Sequence, residues 1–231
     1  MKGGGAKPLG CEGDGRTPEP WTACVGIVDH GMGNRRSVEK ALERVGARVV
    51  LTGDHDALMA ADGLVVPGVG AFPAAMARLR AAGLDELIVR RAQARTPVLG
   101  VCLGMQLLFE RSAELGGDEG LGLLPGEVVA LRPQPPALKV PHIGWNVVTM
   151  TRESPLTDGL PERCAFYHVH SFVARPGEDA DVLGRGDYGG AFVSMVARDP
   201  IYGVQFHPEK SSTHGLALLR NFTAICARTP V

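Results

Sequence analysis

The chain has 231 residues, of which 45% are hydrophobic and 21% are charged, a balance typical of a globular protein with a sizeable core. Its formal net charge of −1 provides no basic surface for nucleic acid, and no apolar run approaches the roughly 18 residues of a membrane-spanning helix. We therefore expect neither a nucleic-acid partner nor a membrane partner.

The five cysteines of the chain give a first indication of its environment. Their number is odd and no two are spaced as CxxC, which argues against a disulfide framework and against a cysteine-based zinc site. A reducing, cytoplasmic location follows, in which a thiol stays free to react. The cysteines stand at positions 11, 24, 102, 164 and 226.

Residues 1–22 are rich in Gly and Pro and lack the apolar core of a signal peptide. We predict a flexible N-terminal extension over residues 1–22, followed by one domain over residues 23–231.

The first half of the chain alternates strand patterns with helical ones. Such alternation is typical of βαβ units around a parallel sheet. Strands are predicted at residues 23–29, 48–51, 63–66 and 97–101, and helices at 37–45, 73–95 with a break at Gly83, and 103–111.

The second half changes character, because short strand patterns follow one another with Gly and Pro between them. We predict antiparallel strands added to a mostly parallel central sheet that is flanked by helices, an α/β fold. The predicted strands cover residues 127–131, 143–149, 165–173, 191–197 and 202–206, and an amphipathic helix covers 214–227.

The segment TPVLGVCLGMQLLFE places Cys102 between an apolar strand and a helix, with Gly100 and Gly104 on either side. A sharp strand-to-helix turn needs small flanks, and it exposes the nucleophile above the sheet. The helix N-terminus stabilises a thiolate, and the amide of Leu103 can face a developing oxyanion. The alternative interpretation is a buried structural cysteine.

The segment YGVQFHPEKSS supplies a base and its orienting group. Pro208 restricts His207 to extended backbone, and residues two apart on such backbone point to the same side. Glu209 can then fix the tautomer of His207, which leaves the other ring nitrogen to take a proton from a thiol. The H-x-E of zinc deaminases lacks its P-C-x-x-C partner here, so we predict no metal.

A glycine-rich loop, VVPGVGAF, ends the predicted strand at residues 63–66. Gly68 and Gly70 allow backbone amides to approach a substrate closely. The alternative is a nucleotide-binding turn, but neither G-x-G-x-x-G nor a Walker lysine pattern is completed. No cofactor is therefore expected.

Taken together, these motifs resemble the class I glutamine amidotransferases, over about residues 25–222. Within that family the chain resembles most the glutaminase subunits of imidazole glycerol phosphate synthase, of histidine biosynthesis. The segments that carry the resemblance are VDHGMGNRRSV, PGVGAF, GVCLGMQLLFERS, PHIGWN, FYHVHSF and GVQFHPEKSS.

The resemblance implies a flavodoxin-like fold and a Cys102–His207–Glu209 triad that hydrolyses glutamine. It implies an oxyanion hole formed by the peptide between Val69 and Gly70 and by the amide of Leu103. The residues implied around bound glutamine are Gly68, Gly104, Gln106, His170, Ser171 and Phe172.

The resemblance also implies a heterodimer with a separate (β/α)8 cyclase, to which the ammonia passes for synthesis of imidazole glycerol phosphate. Asn34, Trp145, Tyr167 and Lys210 are implied at the face that meets this partner. A large Trp in a Gly-Trp turn suits an interface anchor, with a core tryptophan as the alternative.

Four positions depart from the family pattern, none of them in the triad. The family usually has Tyr at His30, Leu at Arg35, an aromatic residue at His168 and Tyr at Phe172.

Three other functions are compatible with some of these motifs: an amidotransferase subunit for pyridoxal phosphate synthesis, a γ-glutamyl peptidase and a non-catalytic module. The first would lack GMGN and PHIGWN, the second needs no partner, and the third would have lost a triad residue.

Overall fold

The structure is a computed structural model, and it describes residues 22–31, 34–134 and 138–228. The predicted N-terminal extension lies outside the described residues except for Thr22, and two residues of the GMGN motif, Met32 and Gly33, lie outside them as well.

Strands and helices alternate in the first half, and strands dominate the second. The strands are β1 Cys24–Val28, β2 Arg48–Thr52, β3 Gly63–Gly68, β4 Val98–Cys102, β5 Phe109–Ser112, β6 Asp118–Glu119, β7 Leu124–Ala130, β8 His142–Met150, β9 Arg163–His170, β10 Phe172–Pro176, β11 Val182–Asp187, β12 Ala191–Arg198 and β13 Ile201–Val204. The helices are α1 Arg35–Arg44, α2 His55–Met59, α3 Phe72–Ala81, α4 Leu84–Gln93, α5 Leu103–Leu107 and α6 Ser212–Arg228.

The centre of the sheet is five parallel strands in the order β2-β1-β3-β4-β13. This is the strand order of flavodoxin-like folds, counted along the parallel strands. On the far side of β13 the sheet continues through β12, β10, β7, β5 and β6, and a branch adds β11, β8 and β9. Apart from the pair β5–β7, the added strands are antiparallel, so the predicted α/β architecture is confirmed.

Helices cover both faces of the parallel strands. On one face, Phe72, Met76 and Leu79 of α3 pack with α2 and α4 into one apolar cluster. On the other face, Leu42 of α1 and Phe222 of α6 pack into a second cluster. Successive residues of these strands point alternately into the two clusters, so both faces of each strand are buried. This explains why the strand sequences are continuous apolar runs.

Several predicted boundaries are wrong, and each has a local cause. The helix predicted at residues 103–111 ends at Leu107, and strand β5 begins at Phe109. The strand predicted at 165–173 is divided at Ser171 into β9 and β10. Periodicity cannot separate short apolar strands from short helices, and it also missed α2 and β11.

The cysteines of the described residues are of two kinds, disulfide-bonded and free. Cys24 is disulfide-bonded, whereas the cysteine count and spacing argued against a disulfide framework. Among the described residues, Cys102, Cys164 and Cys226 are free.

Within the described ranges no helix is both long and apolar enough to cross a membrane.

The turn from β4 into α5 is unusually tight. Cys102 takes φ 56° and ψ −112°, a conformation that costs free energy in a residue with a side chain. The turn also presses α5 against β3, because a Cβ on Gly104 would lie 1.7 Å from the carbonyl oxygen of Val66. The small flanks of Cys102 are therefore required by the packing of strand against helix.

Replacing Gly104 by Ala is expected to lower the free energy of unfolding by about 3 kcal/mol or more, because backbone atoms must move to admit the methyl group. Urea unfolding followed by circular dichroism measures the change. Gly177→Ala is the matched control, since its Cβ would meet nothing closer than 3.3 Å. Equal stability of the two variants would contradict this account of the turn.

Candidate active site

A cavity of about 210 Å³ opens where strands β3, β4 and β13 end and β9 passes into β10. Pockets for drug-sized ligands have volumes of roughly 300–1,000 Å³, so this cavity suits a smaller molecule such as a single amino acid. Its lining residues are Val69, Gly70, Cys102, Leu103, Gln106, Glu114, Pro141, Val169, His170, Ser171, Phe172 and His207.

Cys102 lies at the base of the cavity, between the end of β4 and the start of α5. The residue is only 6% exposed, and its thiol donates a weak hydrogen bond to the carbonyl oxygen of Val169 at 3.6 Å. Since Cys102 also lines the cavity, its sulfur is buried in the protein yet reachable by a small ligand.

His207 and Glu209 form the second part of the site. The Nδ1 of His207 lies 2.9 Å from Oε1 of Glu209, with the two side chains 5% and 1% exposed. A carboxylate only accepts hydrogen bonds, so Nδ1 carries a proton and donates it. Nε2 is then the nitrogen that can exchange a proton with Cys102.

The backbone around His207 is held at both of its polar groups. Its amide donates to the carbonyl oxygen of Tyr167 at 2.9 Å, and its carbonyl oxygen accepts from the Ser211 hydroxyl at 2.6 Å. His207 is extended, as the following proline predicts, with φ −100° and ψ 96°. The extended backbone does not continue to Glu209, because residues Pro208–Lys210 form a 3₁₀ turn. The turn nevertheless brings the carboxylate to the ring.

The electrostatics of His207 favour its protonated form. Burial alone would lower the pKa of the ring, but the neighbouring Cys102 and Glu209 side chains outweigh it and raise the pKa to about 9. The folded chain therefore holds this proton more tightly than the unfolded chain. The resulting stabilisation is complete below pH 6.5 and is lost as the pH rises through about 9.

Two backbone segments provide candidate oxyanion donors at the cavity. Val69 and Gly70 line it from the loop after β3, and Gly70 has φ +99°, a conformation that favours glycine. Leu103 lines it from the first position of α5, where helix amides point toward the N-terminus. The structure thus brings Val69, Gly70 and Leu103 to the same cavity as Cys102.

The predicted glutamine-binding residues fall into two groups. Gln106, His170, Ser171 and Phe172 line the cavity. Gly68 and Gly104 do not belong to its lining: they allow β3 and α5 to pack closely, and a Cβ on Gly68 would lie 2.9 Å from the Cβ of Leu103.

Gln205 is a site residue that the sequence reasoning missed. It is fully buried, and its Oε1 accepts a hydrogen bond from Nε2 of Gln106 at 3.0 Å. Its own Nε2 lies 3.9 Å from the sulfur of Cys102. A polar side chain within the apolar run YGVQF was the available signal, since a buried amide needs partners.

Glu114 was also missed, although it is the one carboxylate that lines the cavity within the described ranges. One of its oxygens, Oε2, accepts from the amide of Phe72 at 2.8 Å, at the start of α3. The carboxylate therefore lies at the cavity wall in a fixed position. No sequence pattern indicates this role, because the contact spans 42 residues.

Three further histidines pack beside the cavity in uncharged form. Burial lowers the pKa of His168 to about 3 and that of His170 to about 4, and it also lowers the pKa of His142. Positive charge on neighbouring histidines would lower the first two further. The stability that neutral His168 and His170 provide is present above pH 6.5 and is lost as the pH falls toward those values.

The four residues predicted at a partner face lie on or near the surface. Trp145 is 55% exposed and packs edge-on against Tyr167, with ring centroids 6.1 Å apart, so the core alternative for this Trp is excluded. Lys210 is exposed and Asn34 is half-buried at the start of α1. Ile143 and Val147 extend the exposed apolar face of β8 on both sides of Trp145.

Two of the four departures from the family pattern, Arg35 and His168, have polar partners that account for them. Arg35 forms an ion pair with Asp29, and His30 is buried beside that pair, where burial lowers its pKa. His168 is fully buried, with Nδ1 bonded to the Phe166 carbonyl and Nε2 to Ser194 Oγ.

Comparison with known proteins points to one family. A family model described as glutamine amidotransferase class-I matches residues 26–226. The chain is 47% identical over 205 residues to a protein named imidazole glycerol phosphate synthase subunit HisH from Pseudomonas putida, covering 87% of this chain and 96% of that protein. It is 48% identical over 198 residues to the protein of that name from Moorella thermoacetica, covering 86% and 93%.

The fold is similar to that of a solved structure described as a glutamine amidotransferase. The TM-score is 0.69 at 21% identity, and the match covers 89% of this chain and 99% of that one.

Replacing Glu209 by Gln is expected to lower the pKa of His207 from about 9, because the amide removes a negative charge while burial still disfavours the protonated ring. The pH titration of the His207 ring protons by NMR measures the change. Glu114→Gln is the control, since this cavity carboxylate has no hydrogen bond to His207. A value in Glu209→Gln that equals the wild-type value would contradict the assignment.

Proposed function

The chain belongs to the class I glutamine amidotransferases, among the HisH subunits of imidazole glycerol phosphate synthase, and we propose that Cys102, His207 and Glu209 carry out its hydrolysis of glutamine. One observation carries the assignment of residues. A Glu-oriented histidine, with Nδ1 and Oε1 2.9 Å apart, lines the same small cavity as a cysteine held at a helix N-terminus.

The proposed reaction proceeds through a thioester. The Cys102 thiolate attacks the side-chain amide carbon of glutamine, and the carbonyl oxygen becomes an oxyanion. Protonated His207 gives its Nε2 proton to the departing nitrogen, so that ammonia leaves as the carbon–nitrogen bond breaks. His207 then takes a proton from water, hydroxide adds to the thioester, and glutamate and the thiol are released. The raised pKa of His207, about 9, suits the proton-donating step.

We assign the polar groups of the cavity to parts of the substrate. The carboxylate of Glu114 suits the α-ammonium group of glutamine, because a negative charge at the cavity wall stabilises a cation there. The amides of Gly70 and Leu103 suit the oxyanion. Gln106 has both of its amide hydrogens engaged, by the Phe172 carbonyl oxygen and by Gln205, so its Oε1 is the atom it offers to the ligand.

The partner we propose is the (β/α)8 cyclase subunit of the synthase, in a heterodimer in which ammonia passes from one subunit to the other. Three apolar side chains of β8 are exposed on the same side of the strand: Ile143, Trp145 and Val147. Successive side chains of a strand point to opposite sides, so these three form one apolar row, and an exposed apolar row supports a contact with another protein. Asn34, Tyr167 and Lys210 are proposed at the same face. A cytoplasmic location keeps the reactive thiol reduced.

The proposal is tested by measuring glutamate release with and without the cyclase subunit. Cys102→Ala is expected to lose at least about 10⁴-fold in kcat, since no other group can form the thioester. Cys164→Ala, which removes a buried thiol bonded to the Pro161 carbonyl, should keep most of the activity. We expect weak hydrolysis by the wild-type chain alone and faster hydrolysis in the complex. Comparable rates for both variants would exclude Cys102 as the nucleophile.

Trp145→Ala is expected to weaken binding of the cyclase subunit about thirtyfold or more, because a half-exposed Trp in an apolar row is a typical interface anchor. Isothermal titration calorimetry gives the dissociation constants. Gln93→Ala is the control, since Gln93 is exposed at the end of α4, whose buried apolar residues belong to the first apolar cluster, whereas Val148 of β8 belongs to the second. Wild-type affinity in Trp145→Ala would remove β8 from the proposed interface.

A further inference from the structure

A continuous chain of hydrogen bonds runs from Asn146, in the middle of β8, to the proposed nucleophile Cys102. It begins at Asn146, whose Nδ2 lies 2.8 Å from the Asp187 carbonyl oxygen and 3.4 Å from Nε2 of His142. The Nδ1 of His142 lies 3.1 Å from Nε2 of His170. The Nδ1 of His170 lies 3.0 Å from the carbonyl oxygen of Phe172.

The chain continues through two amides to the sulfur. The Phe172 carbonyl oxygen also accepts from Nε2 of Gln106 at 3.1 Å, and Gln106 donates its other hydrogen to Gln205. Gln205 ends the chain 3.9 Å from the sulfur of Cys102. The side chains of His142, His170, Gln106 and Gln205 belong to residues that are at most 5% exposed, so water does not replace these bonds.

Only one arrangement of protons satisfies every bond in this chain. The Phe172 carbonyl cannot donate, so Nδ1 of His170 carries the proton and its Nε2 is a bare acceptor. His142 must then donate from Nδ1, which leaves its own Nε2 to accept from Asn146. Each histidine is thereby fixed in one neutral tautomer by its neighbour.

We propose that His142 is a positioning residue of the glutaminase site, whose Nδ1–H holds His170 and, through it, the Phe172 carbonyl and Gln106 at the glutamine pocket. The consequence is that strand β8, whose outer side carries Trp145, sets the shape of the pocket wall on its inner side. This inference rests on the proposed function, because the pocket is assigned to glutamine there.

The ring of His142 also stacks on Tyr188, with centroids 4.0 Å apart, so packing is the competing explanation for its presence. Two substitutions separate the alternatives. His142→Phe keeps a ring against Tyr188 and removes both hydrogen bonds. His142→Asn removes the ring, and its Nδ2 can take the place of the donating Nδ1.

The test is steady-state glutamine hydrolysis by the complex with the cyclase subunit. In His142→Phe the KM for glutamine is expected to rise about tenfold, because His170 Nε2 is buried without a donor, while kcat changes less than about threefold. His142→Asn is expected to restore KM to within about threefold of the wild type. Better function in the Phe variant than in the Asn variant, or an unchanged KM in the Phe variant, would overturn the proposal.

A second measurement does not depend on glutaminase activity. The ¹⁵N NMR spectrum of the wild-type chain should show His170 with a protonated Nδ1 and a bare Nε2, and His142 with the same tautomer. A protonated Nε2 on His170 would overturn the proposal. If the wild-type complex hydrolyses no glutamine, the proposed function fails, and the NMR result still decides the arrangement of the histidines.

Discussion

The hydrogen bond between His207 and Glu209 is the interaction on which the proposed chemistry of this site depends. Both side chains are almost fully buried, so the carboxylate is not screened by water and holds the ring in one tautomer. The same carboxylate helps to raise the pKa of His207 against the effect of burial. Without this bond, an imidazole in such surroundings would lose its proton, and it would lose its direction toward Cys102 as well.

The fold brings Cys102, the proposed nucleophile, close to His207 by packing backbone against backbone. The parallel register sets Gly68 of β3 beside Cys102 of β4, and sets Val101 of β4 beside Val204 of β13. The strands therefore end together and deliver the thiol and the imidazole to one cavity. The positive φ of Cys102 is maintained because α5 is pressed against β3 where Gly104 has no side chain.

Local sequence signals predicted the parts of the molecule that depend on local structure. The alternation of strands and helices gave the parallel centre, and the glycines around Cys102 gave the tight turn. The signals failed for β11, for the division of residues 165–173 at Ser171, and for the turn that holds Glu209. In these places tertiary contacts, and not the hydrophobic periodicity of the local sequence, determine the backbone conformation.

The wall of the cavity could not be predicted from the residues in the same way. Glu114 reaches it by a contact with Phe72, and Gln205 by contacts with Gln106 and Cys102, all of which span long stretches of sequence. Likewise, His142 meets His170 only because β8 pairs with β9 in the register that sets these two residues opposite each other. A buried polar residue in an apolar strand indicates that such a network exists, because the residue needs hydrogen-bond partners. The identity of those partners is known only once the pairing of the strands is known.

The central claim is that Cys102 forms a covalent intermediate with the help of His207. Rapid acid quenching of the chain with glutamine in the presence of the cyclase subunit, followed by mass spectrometry of its peptides, tests it most directly. The account predicts a γ-glutamyl group on the peptide that contains Cys102, and none in the Cys102→Ala variant. Glutamate release at the full rate with no adduct at Cys102, or with an adduct on another residue, would contradict it.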